Sequence, residues 1–222
     1  MGKSLALTLG TLGVGGAGIG AAGAHLLKKT PEAPKVTFRD KYSKALLSDD
    51  INDAIWTTKL TALSDSASSP KHPDLVKAKS DKGKGNKEKE AKDALKKGCY
   101  EIYSRSVEGQ DDFSDFKNFC SLNNGDKIDS GKVLVDADTD LASHWSTFNA
   151  ANRDSLYKGF REAYDSKGSS ESESEGQWKS KMLQKCKEIA KDIFDDPISD
   201  FNTYCTKTKN ANAGAAASGS RP

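Results

Sequence analysis

One pattern of cysteines, aromatics and helical spacing occurs twice in this chain, and that repetition limits its fold more than any other feature. The stretch from Gln177 to Cys205 reads Q-W-K-S-K-M-L-Q-K-C-K-E-I-A-K-D-I-F-D-D-P-I-S-D-F-N-T-Y-C. A weaker copy, E-A-K-D-A-L-K-K-G-C-Y-E-I-Y-S-R-S-V-E-G-Q-D-D-F-S-D-F-K-N-F-C, runs from Glu90 to Cys120, about 87 residues upstream. Cys99 answers Cys186 and Cys120 answers Cys205. Between them Glu101-Ile102 matches Glu188-Ile189, Ser114-Asp115-Phe116 matches Ser199-Asp200-Phe201, and Phe119 or Tyr204 stands before the second cysteine. Trp56 and Trp145 lie 43 and 41 residues before the first cysteine of their copies, so the repeated unit is about 75 residues long.

A unit of that size buries a modest core and gains from a covalent staple. In the first copy Ala91, Leu95, Cys99 and Ile102 fall at steps of four, four and three, and Trp178, Met182, Cys186 and Ile189 repeat those steps. Both first cysteines therefore sit on the buried stripe of a helix. The closing elements carry Phe113, Phe116 and Phe119, or Ile198, Phe201 and Tyr204, and end against the second cysteine. Two helices meeting as a hairpin bring the cysteines together, which predicts the disulfides Cys99–Cys120 and Cys186–Cys205. Buried free thiols are the alternative. Zinc fits poorly, because the spacing offers no C-x-x-C and no histidine companion.

The fold class expected is all-α, mainly helical: an N-terminal transmembrane or signal helix, then two tandem stapled modules. Residues 1–29 read as the anchor or signal, 30–44 as a linker with two prolines, and 45–120 as module one. Within module one, Ile55, Trp56, Leu60 and Leu63 lie on a helix that ends near Ser64. Residues 66–89, rich in Ser, Lys, Gly and Pro, read as a mobile loop. Residues 121–135 form a connector in which Lys132 to Val135 is a brief strand. Module two, 136–208, opens on a longer helix through Trp145, Phe148, Leu156, Phe160 and Tyr164, with an acidic loop at 168–176. Asp196-Pro197 has the form of an N-cap followed by proline in the first helical turn. Residues 209–222 read as a disordered tail.

Ser4 to Leu27 is uncharged between Lys3 and Lys28-Lys29. As a helix its length is about 36 Å, enough for a bilayer core of about 30 Å. Residues 4–27 are thus the expected membrane partner, as an uncleaved anchor in preference to a secretory signal cut near Ala22-Gly23-Ala24. Gly16 and Gly20 form a small-xxx-small pair. Gly13, Gly15 and Gly18 match G-x-G-x-x-G, but a dinucleotide fold needs further strand–helix units that this charged, helical sequence does not offer.

The formal net charge is +2, too small to mark a nucleic-acid binder by bulk charge, so no specific nucleic acid is expected as partner. The lysines between 71 and 97 are the one plausible binding patch. Lys71, Lys77, Lys79, Lys82, Lys84, Lys87 and Lys89 are its candidate contacts with an anionic surface, diluted by acidic neighbours and without interleaved aromatics. The histidines are His25, His72 and His144. Ser143-His144 is the nearest approach to a nucleophile pair, and adjacency in sequence does not place a base against a hydroxyl. Asp136, Asp138 and Asp140 imitate the start of an EF-hand loop but lack its glycine and closing glutamate, so they read as helix-start caps. No cofactor, metal or catalytic residue is implied, and the chain is read as a non-enzyme.

The opening M-G-K-S-L-A-L-T-L-G-T-L-G-V-G-G-A-G-I-G-A-A, followed by tryptophan-led, cysteine-closed helical units, resembles the paralogous families of uncharacterised membrane and surface proteins in haemotropic mycoplasmas. The resemblance implies a membrane or surface location, with host contact or antigenic variation as the role. It brings no catalytic residues. The resulting expectation is a single-pass membrane protein with extracellular modules that acts by contact with a host-cell surface or another protein. The alternative is an intracellular or inner-face interaction protein. That alternative is favoured by Lys28, Lys29, Lys35, Arg39, Lys41 and Lys44 following the apolar run, against which stand the paired cysteines.

Overall fold

The computed structural model describes residues 35–49, 53–168 and 177–209. The readings of an anchor at 1–29, an acidic loop at 168–176 and a tail at 209–222 lie wholly or almost wholly outside these residues. Among the described residues no helix is long and apolar enough to cross a membrane.

The chain is mainly helical. In order come α1 (Phe38–Lys41), α2 (Asp53–Ser64), α3 (Pro73–Lys82), α4 (Glu88–Tyr103), α5 (Gln110–Asp115), strand β1 (Lys132–Leu134), α6 (Trp145–Ala150), α7 (Arg161–Asp165), α8 (Gln177–Ala190), α9 (Ser199–Tyr204) and strand β2 (Thr206–Thr208). The described residues belong to one compact unit that contains two buried clusters, one built from residues 38–122 and the other from 135–205.

Each copy is organised on its long helix, α4 or α8. The two predicted stripes are buried throughout. Both predicted disulfides are present, Cys99–Cys120 and Cys186–Cys205, with Cα separations of 5.1 and 5.3 Å. All four cysteines are fully buried. With partners 21 and 19 positions apart, each staple removes unfolded-chain entropy equivalent to about 3 kcal/mol. Replacing Cys186 and Cys205 together by alanine is expected to lower the unfolding free energy by about that amount in a urea titration, and the first pair likewise, with little change in the helical circular dichroism below the transition.

The aspartates shared by the copies explain themselves. Asp115 accepts the backbone N–H groups of Lys71 and His72 at 2.8 and 2.6 Å, and Asp200 accepts that of Tyr157 at 2.5 Å. His72 and Tyr157 are offset by 85 positions, as Asp115 and Asp200 are. At the same offset Leu75 matches Phe160 and Ala78 matches Ala163, and all four are buried. The first turns of α3 therefore correspond to the 3-10 turn at Lys158–Phe160 and to α7. One detail is inverted between the halves. A Cβ on Gly98 of α4 would lie 3.2 Å from the Asp74 Cβ and 3.1 Å from a Leu75 methyl. In the second half the position of Asp74 is Gly159 and that of Gly98 is Lys185, and a Cβ on Gly159 would lie 3.1 Å from Lys185 Cδ. The close approach is thus permitted by a glycine on the long helix in one half and on the short segment in the other.

Several expectations are corrected. Residues 35–44 are not wholly linker: a capping box between Thr37 and Asp40 starts α1, and Phe38 is fully buried against Tyr42, Phe113 and Phe116. The supposed mobile loop at 66–89 holds α3, capped by the His72 imidazole with Pro73 in the first turn, and its Leu75 and Ala78 enter the core. The longer helix of module two is broken. α6 stops at Ala150, Asn152 caps a 3-10 turn at Arg153–Ser155, and a second turn precedes α7. Asp196 and Pro197 precede α9 but do not cap it, since Ile198 holds the N-cap position. Of the three aspartates read as helix-start caps, Asp140 acts as one, accepting from Asp136 N and Ala137 N, both at 3.1 Å, whereas Ala137 holds the N-cap position and the Asp136 carboxylate pairs with Lys207.

The two tryptophans at 56 and 145 are not equivalent in burial. Trp56 is fully buried, whereas Trp145 is half-buried, and the fully buried tryptophan of the second cluster is Trp178. Trp178 stands where the first copy has Ala91, so the larger side chain on α8 fills space that an alanine leaves to others.

The connector joins the halves and does not merely link them. β1 pairs antiparallel with β2, with Val133 opposite Lys207. Asn123 and Asn124 reach the end of α8 through Nδ2 donors to the Lys191 and Ile189 carbonyls at 3.0 and 2.9 Å. Phe194 N donates to the Leu122 carbonyl at 2.9 Å, so Ile193 and Phe194 pack against the first core. On the other side Lys59 of α2, nearly buried, meets Asn123 Oδ1 and Asp126 Oδ2 at 2.5 Å each.

Candidate functional site: contact surfaces

The seven predicted lysines do not form one open patch. Lys77 and Lys84 both pair with Asp81. Lys82 pairs with Glu88 at 3.0 Å and Lys89 with Asp93 at 2.8 Å. Lys79 points across the C-terminal end of α2, donating to the Asp65 and Ser68 carbonyls at 2.7 Å, where a cation suits the helix dipole. The Lys77 ammonium is the largest cause that holds the Asp81 carboxyl below its ordinary value. The Lys71 backbone is tied to Asp115. The face built by α3 carries alternating charge and not a block of one sign.

His72, which the sequence marks only as one of three histidines, is the centre of a polar network. Its ring is buried, with Nδ1 3.3 Å from Asp74 N and Nε2 2.9 Å from Arg105 Nη2 and 3.4 Å from Glu101 Oε2. Arg105 also donates to Asp112 at 2.8 Å, and Lys97 pairs with Asp74 at 2.9 Å. His72, Asp74 and Glu101 offer ligand atoms within 4.8 Å of one another. These groups already face cationic side chains, Arg105 on the imidazole and Lys97 on both carboxylates, so the arrangement does not fit a cation centre. It is an ion-paired network that orients the start of α3. The H-P-D sequence at 72–74 was the signal for this cap.

Ser143 and His144 are not a catalytic pair. The Ser143 hydroxyl turns to the Asp140 carbonyl at 3.4 Å. His144 is half-buried, its Nε2 has no hydrogen-bond partner among the described residues, and burial pushes its pKa down.

A groove that the sequence reading missed lies where the halves meet. It encloses about 560 Å³, within the range of ligand clefts, with Tyr157, Ile193, Pro197 and Ile198 as apolar walls. Asp192, Asp195, Asp196 and Asp200 line it as well. Behind Pro197 a smaller hollow of about 210 Å³ is lined by Phe194, Phe201 and Lys127, whose ammonium lies 5.3 Å from the Phe194 ring centroid. The signal available in sequence was the run D-I-F-D-D-P-I-S-D, apolar and acidic at once.

The chain matches no family model, no curated protein and no solved structure.

Proposed function

We propose that this is a non-catalytic contact protein, held to a membrane by residues 4–27 and displaying its two stapled halves on the outer face, as a binder of host-cell or protein surfaces or as a variable antigen. The observation that carries the reading is the pair of disulfides, one in each half, both fully buried on the stripes of the long helices. Disulfides form and persist in oxidising compartments, and two at matching positions in a duplicated unit are structural staples. The likeness of the N-terminal segment to surface families of haemotropic mycoplasmas supports the same location. The rival reading places the halves on the inner face, and it rests on the basic residues after the apolar run.

Protease shaving of intact cells separates the two. Loss of the α2–α9 region with disulfides found intact on non-reducing peptide mapping supports display outside. Protection from protease together with free thiols, trapped by alkylation at lysis, overturns it.

For ligand chemistry on the α3 face we propose weak attraction to an anionic surface. Lys71 and Lys87 carry it most, because the other five candidates hold carboxylate or carbonyl partners within the chain. Binding to vesicles containing anionic lipid is expected to fall by about threefold on replacing both by glutamine, and to fade as salt shortens the screening length to about 8 Å. Vesicle binding that ignores both salt and substitution would remove this face from the reading.

A further inference from the structure

We infer that the groove between the halves is a docking site for a cationic, partly apolar peptide segment of another protein. The inference goes beyond the proposed function, since it concerns a different surface and the opposite ligand charge.

The groove's chemistry is specific in three respects. Its apolar walls touch both cores: Ile193 packs against the first, Tyr157 and Ile198 against the second. Those walls are fixed by backbone ties, Phe194 N to the Leu122 carbonyl and Asn124 N to the Asp192 carbonyl at 3.0 Å, so the cleft is preformed. Four carboxylates line it, and among the described residues the ammonium groups paired with them are Lys44 and Lys117, which leaves two negative charges in excess there.

The chain already shows how a basic side chain is held here. Lys44 bridges Asp195 and Asp196 at 3.3 and 2.7 Å, with both carboxylates largely exposed. Lys127 lies over Phe194. An incoming lysine or arginine finds the paired aspartates in the groove, while an aliphatic neighbour fills the space beside Tyr157, Ile198 and Pro197. An acidic segment would be repelled by the rim, which supplies the discrimination.

The test uses the full-length chain, purified with its disulfides intact, and fluorescence anisotropy with three short labelled peptides, alternating lysine–leucine, lysine–serine and glutamate–leucine. Lysine–leucine is expected to bind most tightly, lysine–serine more weakly, and glutamate–leucine not at all. Asp195→Asn/Asp196→Asn neutralises the excess charge at two exposed positions and should weaken lysine–leucine binding about tenfold. Equal binding of the glutamate peptide, no binding of the lysine–leucine peptide, or an affinity unmoved by the double substitution overturns the inference. Lys71→Gln/Lys87→Gln should leave peptide binding intact. Vesicle binding unmoved by that substitution, with peptide binding retained, would therefore count against the α3 face alone.

Discussion

Replacing Lys59 by methionine is expected to destabilise the protein by about 3–5 kcal/mol, far more than the same change at Lys44, which should cost under about 1 kcal/mol. Both lysines pair with aspartate, and burial separates them. The Lys59 and Asp126 side chains are 6% and 13% exposed, while those of Lys44 and Asp196 are 53% and 70% exposed. Removing Lys59 strands the Asp126 carboxylate in the seam between α2 and the connector, where among the described residues Asn123 N, at 2.8 Å, is left to donate to it. The converse change, Asp126→Asn, strands the ammonium and adds a pH signature. Burial is the largest influence on Lys59 and depresses its pKa from the ordinary 10.5, with Asp126 opposing the shift. Without Asp126 the folded chain releases that proton at lower pH than the unfolded chain does. The unfolded state then binds more protons, so the stability of Asp126→Asn should rise with pH between neutrality and about 10. Urea titrations at several pH values check both points, and a flat profile for Asp126→Asn would contradict the burial of Lys59.

Trp178→Ala should cost about 3–5 kcal/mol, and Trp145→Ala less than half as much. Trp178 is fully enclosed, with the Phe148 ring stacked at 5.4 Å and Trp145 at the same centroid distance on a tilted plane. Trp145 is half-buried at the edge of that cluster. Phenylalanine at 178 discriminates packing from hydrogen bonding. Among the described residues the buried indole Nε1–H of Trp178 meets no partner, so Trp178→Phe loses volume but also removes a donor without one, and should cost under about 1.5 kcal/mol. Thermal melts suffice as a readout, since each kcal/mol moves the midpoint by about 2–4 °C in a chain of this size. Equal losses for Trp145→Ala and Trp178→Ala would show that the two rings share the burden.

What was legible in the sequence was whatever repeats at helical spacing. The stripes of α4 and α8, the end of α2 at Ser64 and both disulfides follow from apolar positions three and four apart and from cysteines placed on them. What was not legible depended on partners distant in sequence. α3 is short and half its residues are charged, and its two buried apolar positions, Leu75 and Ala78, signify little until Asp115 is seen holding its first turn. The same holds for Tyr157 and Asp200. The groove was hidden because Ile193, Phe194 and Ile198 belong to different cores, a division that only the connector's ties to Leu122 and Asn124 reveal. Individual lysines were visible and their pairing was not, since an ammonium reads the same in sequence whether it meets solvent or Asp81.

The inverted glycines, Gly98 on the long helix of the first half and Gly159 on the short segment of the second, bear on how the two copies have drifted apart. Each half keeps one vacant Cβ position at the same crossing, but on opposite sides of it. Grafting α8 into the first half would set a lysine stem against Asp74, and grafting α4 into the second would set two glycines face to face. Neither helix is a spare part for the other. Recombination between the repeats can preserve both crossings only if its break lies outside the pair, so that each long helix travels with its own short partner.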